Sequence, residues 1–216
     1  MGGAAAHISH RPSPDEGWIE LLATGLTFDL TGLEPADAAP FPAVAHHFGV
    51  SQEAEISRFE AISLVPGPHI TSQIAMMPVV RAMVGLAASI ALPLSVEGIC
   101  WHAAQSVMEP QYFSRIAFDW LSGGAFPALG LTAVEEMDDG SVTSRGLAHF
   151  TGQEIQIEPR DNEVPAETVK LVVRLIDYMV RNGHLHEPRE LEGPGGERLL
   201  AEPSQSRQLV RVWRGT

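Results

Sequence analysis

Residues 74–94 constrain the fold more than any other part of the chain, because this apolar run is long enough to cross a bilayer. It carries one charge, Arg81, near its middle, and Pro78 and Pro93 interrupt it. A central arginine costs roughly 2.5–3.5 kcal/mol on insertion scales, and the small residues Ala82, Gly85, Ala87, Ala88 and Ser89 add little affinity for lipid. The segment therefore reads as a buried helix of a globular domain, opened by Thr71 or Ser72 and stopped by Pro93. No membrane partner is expected.

The rest of the chain can supply a core for that helix. Of 216 residues, 44% are hydrophobic and 19% charged, which suffices for one or two packed domains. Acids outnumber bases 27 to 14, for a formal charge of −13, and Lys170 is the sole lysine. That balance builds no positive footprint for a nucleic-acid backbone, so nucleic acid is not expected as a partner. Cys100, a single cysteine, cannot form an internal disulfide, which fits a reducing, cytoplasmic setting. The first residues lack the basic start and apolar core of a secretion signal, and residues 1–16 read as a flexible tail.

Periodicity predicts an α+β fold with a mixed, largely antiparallel sheet and about four helices. Residues 18–30 read as a half-buried strand, Leu26, Phe28 and Leu30 alternating against Thr27 and Asp29. A short helix is expected over 52–58, a strand over 61–65, another over 94–102, and a helix over 110–121 that Pro110 opens and Gly123-Gly124 ends. Residues 129–137 and 142–150 form a hairpin about Asp138-Asp139-Gly140, and the sheet continues through 153–158. Pro165 opens a helix with Val169, Val172, Val173, Ile176, Met179 and Val180 on one side, ended by Gly183. Residues 198–201 and 208–213 pair as the final strands. The expected organisation is an N-terminal α+β part over 17–140 and a C-terminal hairpin-helix-hairpin subdomain over 141–216, packed as one body.

The run Thr143 to Ile157, with Gly146, the aromatic Phe150 and Glu154-Ile155-Gln156-Ile157 ahead of an apolar helix and a last strand pair, resembles the signature of an uncharacterised bacterial family, domain of unknown function 4261. Phe150 and Glu154 keep that family's spacing, whereas Gly152 stands one place later than the glycine that often follows the aromatic. The resemblance covers roughly residues 146–216 and, more loosely, 61–102. It implies an α+β bacterial protein and brings no activity, substrate or cofactor.

Several groups carry possible chemistry. Glu154 and Glu158 fall on one face of an extended segment, where a carboxylate pair could hold a cation or move a proton, and His149 could approach Glu154 across a kink at Gly152. The plainer alternative is a solvated strand face. Cys100 and His102 flank Trp101, so a strand would set thiol and imidazole on one side, as a nucleophile pair needs; a buried structural cysteine is commoner. His184-x-His186 followed by Glu187 has the spacing of two metal ligands, though exposed loop histidines are the ordinary case. His46-His47 is weaker, since neighbours on a strand face opposite ways. Phe113, Phe118 and Trp120 are either an exposed aromatic patch or helix core. No phosphate-cradling loop, nucleophile elbow or paired-cysteine motif occurs, and no cofactor is implied. These features favour a soluble binding or protein-interaction module, with a protein partner or a second copy of itself. A hydrolase using His149, Glu154 and Glu158, or Cys100 and His102, is the alternative.

Overall fold

The computed structural model describes residues 6–51, 58–94, 96–159 and 165–215. These hold thirteen strands and five helices, with antiparallel pairing dominant, so the α+β class expected from the sequence is the class observed. The helix expected over 52–58 lies, apart from Arg58, outside the described residues. The chain divides into two compact units, one of residues 1–100 and 107–124, the other of 101–106 and 125–216. The sequence places a division at 140/141 instead, which would cut a hairpin whose two strands pair with each other.

In the first unit, β1 (His7–His10), β2 (Trp18–Ala23), β3 (Leu26–Thr31), β4 (His46–Phe48) and β5 (Ser63–Pro66) precede helix α1 (Met77–Ala91). Strands β1, β2, β3 and β5 form one antiparallel sheet in that order. The single strand expected over 18–30 is a hairpin, because Thr24 and Gly25 both take positive φ, 52° and 80°, as a tight two-residue turn requires. Residues 7–10, expected in a flexible tail, form edge strand β1; all four are exposed, so no hydrophobic alternation marks them. Cross-strand pairing sets Leu21, Phe28 and Pro66 in register on the buried face, and α1 packs on β3 and β5.

Helix α1 begins at Met77, later than Thr71, because Pro78 suits a first turn and residues 71–73 close a 3-10 turn ahead of it. Its 15 residues span about 22 Å, short of a hydrocarbon core of about 30 Å. Among the described residues no helix is long and apolar enough to cross a membrane. After β6 (Ile99–Trp101) and β7 (Ser106–Met108) comes α2 (Pro110–Leu121), capped by Glu109, whose carboxylate accepts from the Tyr112 amide at 2.8 Å. Strands β4, β7 and β6 form a small sheet in that order.

The small residues of α1 let α2 come close. A Cβ on Gly85 would stand 3.0 Å from Leu121, and Ser114 donates to the Ala88 carbonyl. Arg81, the charge that spoke against a bilayer, donates to the Leu121 carbonyl at 3.0 Å and lies 4.8 Å over the Trp120 ring. It thus meets the negative end of α2 and an aromatic face at once. Phe113 and Trp120 are core, while Phe118 stays exposed.

The second unit runs through α3 (Ala128–Leu131), β8 (Ala133–Glu136), β9 (Val142–Arg145), α4 (Ala148–Thr151), β10 (Glu154–Ile157), α5 (Pro165–Asn182), β11 (Arg189–Glu192), β12 (Arg198–Pro203) and β13 (Leu209–Arg214). Its sheet has the order β11-β12-β13-β10-β9-β8. Two antiparallel meanders therefore meet in one parallel pair, β10 with β13, where Ile155 and Ile157 lie opposite Val210 and Val212. Helix α5 packs on β9 and β10, and the residues it buries are Thr168, Leu171, Val172, Leu175, Ile176 and Met179. The buried stripe is turned slightly from the expected one: Val169, Val173 and Val180 sit at its margin.

Candidate functional site

Of the sequence-predicted residues of the second unit, His149 and Glu154 lie where β9 leads into β10, and Glu158 follows the far end of β10. The strand expected over 142–150 ends at Arg145, and Gly146 turns the chain at φ +87° into the short helix α4. A Cβ at Gly146 would lie 2.9 Å from the Ala103 carbonyl, so glycine is required by space as well as by conformation. His149 and Phe150 thus sit on a helical turn rather than a strand.

Glu154 holds that turn. Its Oε1 accepts from the amides of Gly146 at 2.8 Å and Ala148 at 3.1 Å, and its Oε2 accepts from the Leu147 amide at 3.1 Å and the Ser144 hydroxyl at 2.5 Å. Three successive backbone N–H groups make a concavity that binds anions, and this one is filled from within the chain. Ser144 is itself fixed, its Oγ accepting from the Ile155 amide at 2.9 Å. The alternation in β10 is as expected: Ile155 and Ile157 are buried, and Glu154, Gln156 and Glu158 are half-buried on the other side. Gln156 reaches Ser141, however, and the Glu154 carboxylate is turned to its amides.

His149 lies in a ring cluster. It stands edge-on to Trp101 at 5.7 Å and to Phe150 at 5.0 Å; Phe150 stacks on Trp101 at 6.1 Å and meets Phe126 edge-on at 4.9 Å. Its Nε2, like Nε1 of Trp101, is buried without a hydrogen-bond partner. Burial pushes the His149 pKa down and favours the neutral imidazole.

Cys100 and His102 do not share a strand face. Strand β6 stops at Trp101, and residues 102–104 form a 3-10 turn, which ends the alternation that would align them. Burial raises the Cys100 thiol, the opposite of what activates a nucleophile, and His102 is exposed.

His184 and His186 do come together, with ring centroids 4.6 Å apart and planes tilted by 46°. The cause is Gln153, a residue that no motif singles out and that is wholly buried. Its Oε1 accepts from the Leu185 amide at 2.7 Å, and its Nε2 donates to the Leu185 carbonyl at 3.0 Å. Leu185 is drawn inward, and the residues on either side project outward together. His184 adds a contact of Nδ1 to the Thr151 carbonyl at 3.1 Å. Both imidazoles line a shallow depression of about 190 Å³ shared with Tyr178, Asn182 and Glu187. Among the described residues no group of three or more His, Cys, Asp or Glu side chains is arranged to hold a metal ion.

The first unit adds a pair that the sequence left unmarked. Glu20 and Asp29 are cross-strand partners, and Asp29 has a buried, unbonded Oδ1. Its carboxyl is pushed up by burial first and by the Glu20 charge second.

Compared with family models, with curated proteins and with solved structures, the chain finds no match in any of the three.

Proposed function

We propose that this chain is a binding or protein-interaction module, working in a bacterial cytoplasm without a catalytic apparatus of a recognised type. One observation carries the reading: most of the large apolar side chains exposed among the described residues belong to the first unit. Scattered exposure is ordinary, but here several such side chains follow closely along the chain. Phe59, Ile62 and Val65 follow one another along β5 and its approach, and Ile74 and Met76 lead into α1. Strand β5 also ends its sheet, so it offers backbone groups beside these side chains. The outer strands of the second unit carry charge instead, with Glu135 and Glu136 on β8 and Arg189, Glu190 and Glu192 on β11, a composition that discourages strand addition there.

A hydrolase remains the second reading. It is favoured by the neutral imidazole of His149 with its unbonded Nε2, while the engaged carboxylate of Glu154 and the raised thiol of Cys100 weigh against it.

The test compares the tagged chain with an Ile62→Ser/Val65→Ser/Met76→Ser variant of unchanged melting temperature. Both are recovered from the native host, with co-purifying proteins quantified, and both are sedimented. The expected result is a stoichiometric partner, or self-association, that the variant loses. Identical behaviour of the two proteins would overturn the assignment of this surface.

A further inference from the structure

We propose that His184 and His186 form a two-imidazole site for a divalent transition-metal ion of the copper(II) or nickel(II) type. This goes beyond the interaction reading and does not depend on it.

The first argument is the state of the rings. A carbonyl oxygen can only accept, so the contact of His184 Nδ1 with Thr151 makes Nδ1 the protonated nitrogen and leaves the lone pair of the neutral ring on Nε2. A backbone carbonyl behind a histidine is the usual way its coordinating nitrogen is oriented. The second argument is rigidity. Gln153 grips both backbone groups of Leu185 from a fully buried position, so the two histidines are held as a pair and not as two mobile loop residues.

The third argument is distance. An ion bound to a ring nitrogen at about 2.0–2.1 Å lies about 3.2 Å from the ring centroid. Two centroids 4.6 Å apart then subtend about 90° at a shared ion, the angle between neighbouring positions of a tetragonal site. Imidazole nitrogen suits copper(II) and nickel(II), and these two ions stand high in the affinity order of the divalent first-row metals. With two protein ligands the other positions go to water, and Glu187 follows directly on His186 beside the same depression.

The experiment titrates the full-length protein with nickel(II) or copper(II) chloride alone, followed by calorimetry and, for copper, by paramagnetic resonance. Expected are one ion per chain at this site and a resonance pattern showing two ring nitrogens. His186→Ala changes an exposed side chain and is expected to weaken binding about 10- to 100-fold and remove one nitrogen from the pattern. Gln153→Leu keeps both ligands but releases Leu185, and should weaken binding about tenfold. The proposal is overturned if the wild type binds neither ion, or if His186→Ala binds with the same affinity and the same pattern.

Discussion

Replacing Gln153 with leucine tests the central tie of the second unit. The substitution keeps the side chain about as large but makes it apolar in a site with no exposure, so it removes hydrogen bonds without opening a large cavity. What it strands is the Leu185 N–H and C=O, which the amide now meets at 2.7 and 3.0 Å beneath a residue only 7% exposed. A buried backbone group without a partner costs about 1–3 kcal/mol, so the pair amounts to about 2–6 kcal/mol. For a chain of this size that corresponds to a fall in melting temperature of about 8–16 °C at the middle of the range. Urea denaturation followed by tryptophan fluorescence measures the loss, and hydrogen exchange at the Leu185 amide shows whether the tie is its cause. A change below about 1 kcal/mol, with the Leu185 amide still protected, would refute the reasoning, because the loop would then be held by something other than Gln153.

Glu154→Gln should destabilise the protein by about 2 kcal/mol or more in the same assay, since an amide presents hydrogens where the Gly146, Leu147 and Ala148 amides need acceptors; an unchanged midpoint would show that the carboxylate does not hold the turn. His149 has a depressed pKa in the folded chain, so the unfolded chain takes up its proton first as pH falls through about 6.5. The wild type therefore loses stability on acidification below that point until the folded imidazole also titrates, and His149→Phe should lose less over the same range; parallel curves of urea midpoint against pH would count against this.

Legibility in the sequence followed the range of the interactions involved. Helix α2 was readable to the residue because its signals are local: Pro110 in the first turn, Gly123-Gly124 beyond the last. Helix α5 was readable for the same reason, although its buried stripe turned to bring Leu171 and Leu175 inward, a rotation set by the sheet it covers. Strand β1 has no hydrophobic signal because all four of its residues are exposed; backbone pairing, the Ser9 hydroxyl on Glu20 and the His10 ring against Trp18 hold it to β2. Of the site residues, the outward pairing of His184 and His186 followed from alternation, but the residue that enforces it lies more than a helix away in sequence. Likewise, no pattern around Glu154 announces that three amides will turn to meet it; that depends on Gly146 fitting against Ala103, two segments far apart in the chain. The parallel pairing of β10 with β13 had no local signal either, since neither strand is adjacent to the other in sequence.

That parallel pair also sets the order in which the second unit can be made. On a ribosome, the meander of β8, β9 and β10 emerges well before β13, and until β13 arrives β10 has an open edge on the side where Leu209 to Val212 will lie. Ile155 and Ile157 must wait with it, half of their sheet still unsynthesised. Helix α5, made in the interval, is the element at hand to cover them, and its packing on β9 and β10 gives the growing chain a shelter for an unpaired strand before the sheet is closed.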